Sequence, residues 1–416
     1  MQRISSNMTL GDMDWNLRSQ EVRLNHLETQ MGTQKRIVEL RDDPLAAAES
    51  TRLESWKYRL SRFEKNSTQL QTDLRYTESS IQQAQNILQR LNELAVQGAN
   101  GTYAPSDLKA MGVEVNQLLD QLVSIGNTKG PDGQPIFGGD LVDGNPWRVL
   151  KGRIPGSDGS VITQVDYVGT IGVKKTEISE NTFIQSNFPG NKVFWADNQK
   201  IYSAIDSQHY TVPADTTIQI DGKSIPLRMG DSVQAVIAKI NDAPVAVKAS
   251  LDPVTNGLVL ETTQPHQLFV EDGPGGNVLK SLGIVSDRAG VKPPLNYNQD
   301  AKIFGGSVFD AVIRLRDNML TGNNQFLGGQ GLAGIQASLS ALQTSLADLG
   351  SRDERLTMTS KTLKEEIPQV VEMNSNLVDL DITDGVTRLK MLEQTHEASL
   401  RATAMIYPRT LMDFIK

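Results

Sequence analysis

The amino-acid sequence predicts an α+β multidomain chain. Its N- and C-terminal segments form a long antiparallel coiled-coil-like helical rod, with a β-rich domain inserted between them. Three observations carry this. First, apolar residues recur at alternating steps of three and four through Leu53, Trp56, Leu60, Phe63, Leu70, Leu74, Ile81 and Leu88. They do so again through Leu342, Leu346, Leu349, Leu356 and Leu363. That spacing holds one stripe of a helix against a partner helix. Second, each seam would make a helix about 60 Å long at 1.5 Å per residue, too long to fold around a compact core, so the two seams are natural partners. Third, glycine and proline become dense between them and short β-branched runs replace the helical period.

Taken in order, residues 1–38 carry a shorter seam through Leu10, Met13, Leu17, Leu24, Leu27 and Met31, weakened by Gln20, Gln34, Gly11 and Gly32. Such a segment is marginal alone in water. Arg41-Asp42-Asp43-Pro44 then breaks the helix, and Pro44 suits the first turn of the next one. The long helix runs to about Gly98. After a turn at Gly101–Pro105, Ser106 is the predicted cap of a helix through Leu108, Val115 and Leu122 that stops at Gly126. Strands are predicted at Val161–Val168, Thr170–Thr176, Lys200–Ile205 and Thr216–Ile220. The last leads through Asp221-Gly222, a hairpin turn, into Ser224–Leu227. A short helix with Val233, Val236, Ile237 and Ile240 inward follows, then strands at Val245–Leu251 and Leu258–Thr262. Helical period resumes at Val308, Val312, Leu315 and Met319. In the C-terminal part, Pro368 is expected to kink the seam or mark a junction, and Asp384-Gly385 to punctuate it again. A looser amphipathic stretch holds Leu389, Leu392, Leu400, Met405 and Ile406, and the chain ends in an apolar tip with Leu411 and Phe414.

These boundaries divide the chain into 1–42, a terminal assembly segment paired with 380–416; 43–139 and 305–379, the two halves of the rod; and 140–304, the insert, read as two parts at about 140–212 and 213–290. The terminal segments lie outside the main rod and are hard to satisfy within one chain. They suit elements that order when they meet identical or related neighbours.

Composition narrows the function. The 416 residues carry a net charge of −8 with no long basic run, which argues against nucleic acid or an anionic membrane as the main partner. No 18-residue apolar stretch is present to span a bilayer, and residues 1–17 lack the pattern of a secretory signal. Cysteine is absent, which excludes disulfides and thiol chemistry and suits a protein that leaves the cell unfolded. The motif Gly329-Gln330-Gly331-Leu332-Ala333-Gly334 fits G-x-G-x-x-G, but a turn precedes it and a seam follows, so it reads as a flexible helix entry. His26, His209, His266 and His396 are scattered and read as solvated or boundary residues. Trp147, Trp195, Tyr202 and Tyr210 would give a sugar-binding insert its aromatic surface, yet strand aromatics more often pack in cores. No catalytic constellation emerges, so neither enzyme activity nor a cofactor is expected.

Several stretches resemble the bacterial flagellin family. They are Met1–Ser5, Lys35-Arg36-Ile37 with Asp42-Asp43-Pro44, Ile136-Phe137-Gly138-Gly139 with Pro146-Trp147, Leu377–Asp381, and Thr410–Asp413. The stretch with Phe137 and Gly138 resembles members placed at the hook–filament junction. Ile218–Gly283 is similar to a small repeat module of this family. The resemblance implies export through the flagellar channel without a cleaved signal, help from an export chaperone, and an external or periplasmic flagellum as the location. It also implies a homo-oligomeric ring through paired terminal helices, contacting a hook-associated protein on the hook side and flagellin on the filament side. Arg36, Asp42, Asp43, Pro44, Phe137 and Gly138 carry the family signature. One departure is Pro408, which should interrupt the last helix.

Overall fold

The computed structural model describes residues 2–157, 159–286, 288 and 290–406, with side chains from 11 to 405. The architecture is α+β. Helices α1 (Gln2–Thr33), α2 (Pro44–Ala99) and α3 (Pro105–Gly126) open the chain. Strands β1 (Trp147–Gly152), β2 (Val161–Tyr167), β3 (Lys175–Ser179) and β4 (Thr182–Gln185), the short helix α4 (Gly190–Val193) and β5 (Lys200–Tyr202) follow. Next come β6 (Thr216–Ile220), β7 (Lys223–Leu227), α5 (Val233–Asp242), β8 (Val247–Leu251), β9 (Leu258–Thr262), β10 (Val270–Asp272), α6 (Val278–Ser281) and β11 (Lys302–Phe304). Helices α7 (Val308–Thr321) and α8 (Asn324–Phe326), a π-helical turn at Leu327–Gly331, α9 (Leu332–Val378) and α10 (Ile382–Ile406) complete it.

The chain divides into two compact units, one of residues 1–65 with 360–416 and one of 66–359. In the larger unit, Leu74, Ile81, Leu88 and Leu91 of α2 are fully buried. They share a core with Val115 and Leu119 of α3, Val312 and Leu315 of α7, and Leu342 and Leu349 of α9. Gln71 donates to the Thr357 hydroxyl at 3.0 Å, while a Cβ on Gly328 would lie 3.4 Å from Ala99. Positions that rise along α2 thus fall along the returning chain, so the two run antiparallel. The strands nearest the helices join this core through an aromatic group: Trp147 lies 4.6 Å from Phe309 and 4.9 Å from Tyr167 between ring centroids. A second core gathers Ile218, Ile220, Ile225, Val236, Ile240, Leu258 and Leu260. There the sheets run β10-β6-β7 and β11-β5-β9-β8, with β1-β2 and β3-β4 as separate ribbons. The β6–β7 turn has Asp221 and Gly222 at φ 49° and 75°, the left-handed pair that a two-residue hairpin needs.

Several local expectations are corrected. Helix α3 starts at Pro105, so Ala104, not Ser106, is its cap, and the Asp107 carboxylate accepts the Ala104 N–H at 3.2 Å. A proline at the first helical position loses nothing, because that N–H has no helical partner. Residues 170–174 are not strand, since the Thr170 N–H is drawn to the Gly138 carbonyl at 3.1 Å, and β3 begins at Lys175. Helix α9 continues through Pro368, so no junction falls there; Leu363 and Val370 on either side are buried. Asp384-Gly385 lies inside α10. The break falls earlier, where Asp381 Oδ1 accepts the Thr383 N–H at 2.8 Å and caps the helix. Gly385 is buried, and a Cβ there would stand 3.1 Å from Leu380 and 3.7 Å from Met31, so its small size serves packing.

Candidate assembly surface

The smaller unit pairs α1 with α10. Across the pair, Gln20 Nε2 donates to Ser399 Oγ at 3.1 Å. Leu27 is buried, while Met13, Leu17, Leu24, Met31, Leu389 and Leu392 are half-buried. Leu400 and Met405 are exposed, the latter at 87%. Leu10 and Ile406 lie in the two helices with side chains outside the description, and Leu411, Phe414 and Pro408 lie outside the described residues. Sequence reasoning missed Trp15, 70% exposed, Val22, 62% exposed, and Met391, 67% exposed. Trp15 and Val22 are seven apart, hence on one helix face, and flank a shallow groove with Arg18 and Arg23. The available signal was an aromatic and a β-branched residue at heptad spacing beside, not within, the main stripe.

Below this pair, the chain between α1 and α2 is tied down by side chains. Gln34 takes a left-handed φ of 57°, and its carbonyl accepts the Leu380 N–H at 3.0 Å. The Arg36 N–H donates to the Val378 carbonyl at 2.7 Å. Its guanidinium donates to the Leu377 carbonyl at 2.8 Å and reaches Asp43 Oδ2 at 3.4 Å. The other Asp43 oxygen accepts the Ala46 N–H at 3.0 Å in the first turn of α2, where Pro44 is the first residue. Asp42 accepts from the Val38 and Glu39 N–H groups at 3.0 and 2.9 Å and meets His26 Nε2 at 3.2 Å. The Glu39 and Ala46 amides are the first causes that hold Asp42 and Asp43, respectively, below the ordinary carboxylate range. Ile37, Ala46 and Val378 close a small apolar cluster under this clasp. Arg36, Asp42, Asp43 and Pro44 thus come together in one structure that joins α1, α2 and α9.

The seam residues divide between the units. Leu53, Leu60, Phe63 and Leu363 form one buried cluster with Val370, near Ser50 and Asn374, which hydrogen-bond at 2.7 Å. Trp56 stands off that line at 38% exposure. Leu70, Leu74, Ile81, Leu88, Leu342, Leu349 and Leu356 are buried in the larger unit, with Leu346 packed at its edge. Phe137 and Gly138 sit at the aromatic group. The Phe137 carbonyl accepts from the Tyr167 hydroxyl at 2.9 Å and the Gly190 N–H at 2.8 Å, and a Cβ on Gly138 would come within 2.8 Å of Pro135. Trp147 and Trp195 are buried.

His266 is not a boundary residue. It is 2% exposed, its Nε2 lies 2.9 Å from Asp221 Oδ2 and its Nδ1 lies 2.8 Å from the Gln264 carbonyl, which pins the hairpin. The glycine motif at 329–334 is preceded by α8 and spans the π-helical turn and the start of α9, so it lacks the strand a dinucleotide site requires. Among the described residues, no three acidic, histidine or cysteine side chains gather as metal ligands, and no helix is long and apolar enough to cross a membrane.

Comparison with known proteins places this geometry. The sequence profile of the bacterial flagellin N-terminal helical region matches residues 4–140, and that of the C-terminal helical region matches residues 332–414. The chain is 28% identical over 269 residues to the flagellar hook-associated protein 3 of Escherichia coli (strain K12), covering 62% of this chain and 76% of that one. It is 26% identical over 185 residues to the protein of the same name from Salmonella typhimurium (strain LT2), covering 44% of this chain and 58% of that one. It is also 24% identical over 406 residues to flagellin A of Vibrio cholerae, covering 94% of each. Among solved structures, the crystal structure of flagellar hook-associated protein-3 from Legionella pneumophila aligns at a TM-score of 0.47 and 19% identity, covering 78% of this chain and 98% of that one.

Proposed function

The chain belongs to the bacterial flagellin family, and from that premise we propose that it is a structural adaptor of the flagellum, joining the hook side to the flagellin filament. Copies assemble as a ring through the paired segments 1–42 and 380–416, between a hook-associated protein and flagellin. An export chaperone delivers the chain to the flagellum without a cleaved signal. It performs no catalysis.

The observation that carries the assembly part is the apolar surface left bare on α1 and α10: Trp15, Val22, Met391 and Met405. Two helices lying side by side bury one stripe each, and a third and fourth helix from neighbouring copies would cover the rest. Apolar burial of that kind contributes about 25 cal/mol per Å² before ordering costs. The junction position rests on the similarity to the hook-associated protein 3 of Escherichia coli and of Salmonella typhimurium. Electron microscopy of a strain lacking the chain tests it. The expected result is intact hooks, no filaments and flagellin shed unpolymerised. Normal filaments would remove the adaptor role, and lost filaments below a visible junction ring would favour a filament subunit.

A further inference from the structure

The sheet β11-β5-β9-β8 has two unlike faces. Ile201 in β5 and Leu258 and Leu260 in β9 are fully buried in the second core. Side chains alternate along a strand, so Lys200 and Tyr202 point the other way. The pairing of β11 with β5 sets Lys302 opposite Tyr202 and Phe304 opposite Lys200, which puts all four on the outer face. Tyr202 and Phe304 meet edge to face, with ring centroids 5.6 Å apart and planes at 85°. Phe304 remains 55% exposed on the edge strand. With Asp252 and Asp300 these residues line a cavity of about 610 Å³, within the range of roughly 300–1,000 Å³ that holds small ligands. The adaptor role has no use for it.

Charge decides which ligand fits. Lys200 Nζ is held by Glu261 Oε1 at 2.8 Å, its strand neighbour, so little of its charge is free. The Thr255 hydroxyl donates to Asp252 Oδ2 at 2.6 Å. That bond above all, with Lys302 adding Coulombic support, keeps Asp252 ionised. The rim therefore offers carboxylate acceptors without an excess of positive charge. An anion would be repelled by Asp252 and Asp300, and a cation drawn to those carboxylates would also face Lys302. A neutral molecule with hydroxyls on its edge and an apolar C–H face suits these groups: hydroxyls donate to the carboxylates and accept from Lys302, and C–H bonds rest on an electron-rich ring face.

We propose that the outer face of this sheet is a binding site for a neutral pyranoside, with the exposed Phe304 ring as the stacking surface, Tyr202 as the wall set at right angles to it, and Asp252 and Asp300 as hydroxyl acceptors. Saturation-transfer NMR on the full chain tests this, using methyl glycosides of glucose, galactose, mannose and N-acetylglucosamine. N-acetylneuraminate and choline serve as the anionic and cationic probes. At least one neutral glycoside should bind, and Phe304→Ala should weaken it about tenfold, the loss of one stacked ring. Asp300→Asn should weaken it less, and Tyr202→Phe should keep most of the affinity because the ring stays. Phe304 is largely exposed, so its removal leaves the fold intact, which an unchanged circular dichroism melt verifies. The proposal is overturned if no neutral glycoside binds, if affinity survives Phe304→Ala, or if only N-acetylneuraminate or only choline responds.

Discussion

The seam of α2 in the larger unit and the seam of α1 in the smaller one use similar residues at the same spacing, yet they end differently. Leu74, Ile81 and Leu88 are fully buried. Of the apolar positions described along α1, Leu27 alone is buried, and Trp15 and Val22 stand in the open. The reason is the number of neighbours. In the larger unit, α3, α7, α9 and a layer of strands surround α2, so each side chain is enclosed on several sides. In the smaller unit, α1 has α10 as its long packing partner. Periodicity therefore reports which side chains face a partner, and the count of partners sets how much stability they contribute.

The contrast can be broken in four ways. The largest effect belongs to Leu88→Ala, which leaves a cavity in a closed core and should cost about 2–5 kcal/mol in chemical denaturation. Trp15→Ala removes a larger side chain but should change the stability of the free protein by less than about 0.5 kcal/mol. It should instead abolish co-assembly in vitro, and a Trp15→Ala cost equal to that of Leu88→Ala would end the comparison.

The clasp is next. Arg36→Ala takes the donor from the Leu377 carbonyl and the counter-charge from Asp43. Because the guanidinium is half-exposed, the expected cost is about 1 kcal/mol. It should appear as faster amide exchange in α1 and α10, with protection in α3 and α7 unchanged. Equal loosening of both units would show that the clasp is not local.

Acid should act with opposite sign on the clasp and on the helical core of the larger unit, whose strand region holds lowered carboxylates of its own at Asp143, Asp231 and Asp252. Asp42 and Asp43 have folded-state pKa values below the ordinary 3.8. Their stabilisation is fully present above that value and is lost as pH falls through the lowered ones. Asp310 and Asp73 in the larger unit are raised, first by burial. Ionising them costs stability above 3.8, a cost that disappears as pH falls through their raised values. Amide exchange followed from neutral pH to below 3.8 should show α1 and α10 opening first, and Asp42→Asn with Asp43→Asn should remove that dependence. The smallest effect is that of Arg401→Ala. Its partner Glu397 is exposed and four residues away, so the melting curve should shift by the equivalent of less than about 0.5 kcal/mol.

Much of the architecture was legible because it is local. The limits of β6 and β9 and the Asp221-Gly222 turn follow from β-branched runs and a dipeptide that accepts two left-handed residues. The entry to α2 follows from Pro44. The misses came where distant groups overrode local preference. Thr170 leaves its strand pattern for the Gly138 carbonyl, and His266 is drawn inside by Asp221, 45 residues away. In the α1–α10 pair, the stripe from Met13 to Met31 was visible, but the exposed face with Trp15 and Met391 was not, because exposure depends on what fails to cover it.

By itself, then, the sequence determined the two helical seams, the β-rich insert and the tight hairpin, since each rests on residue spacing or backbone preference within a few positions; the stretch at 36–44 was legible only through its resemblance to the flagellin family. Only the tertiary structure decided that β5 pairs with β9 and β11, that Arg36 reaches the Leu377 carbonyl, and that Tyr202 meets Phe304. Those contacts close loops of many residues, and their partners are selected by burial and charge summed over the whole fold.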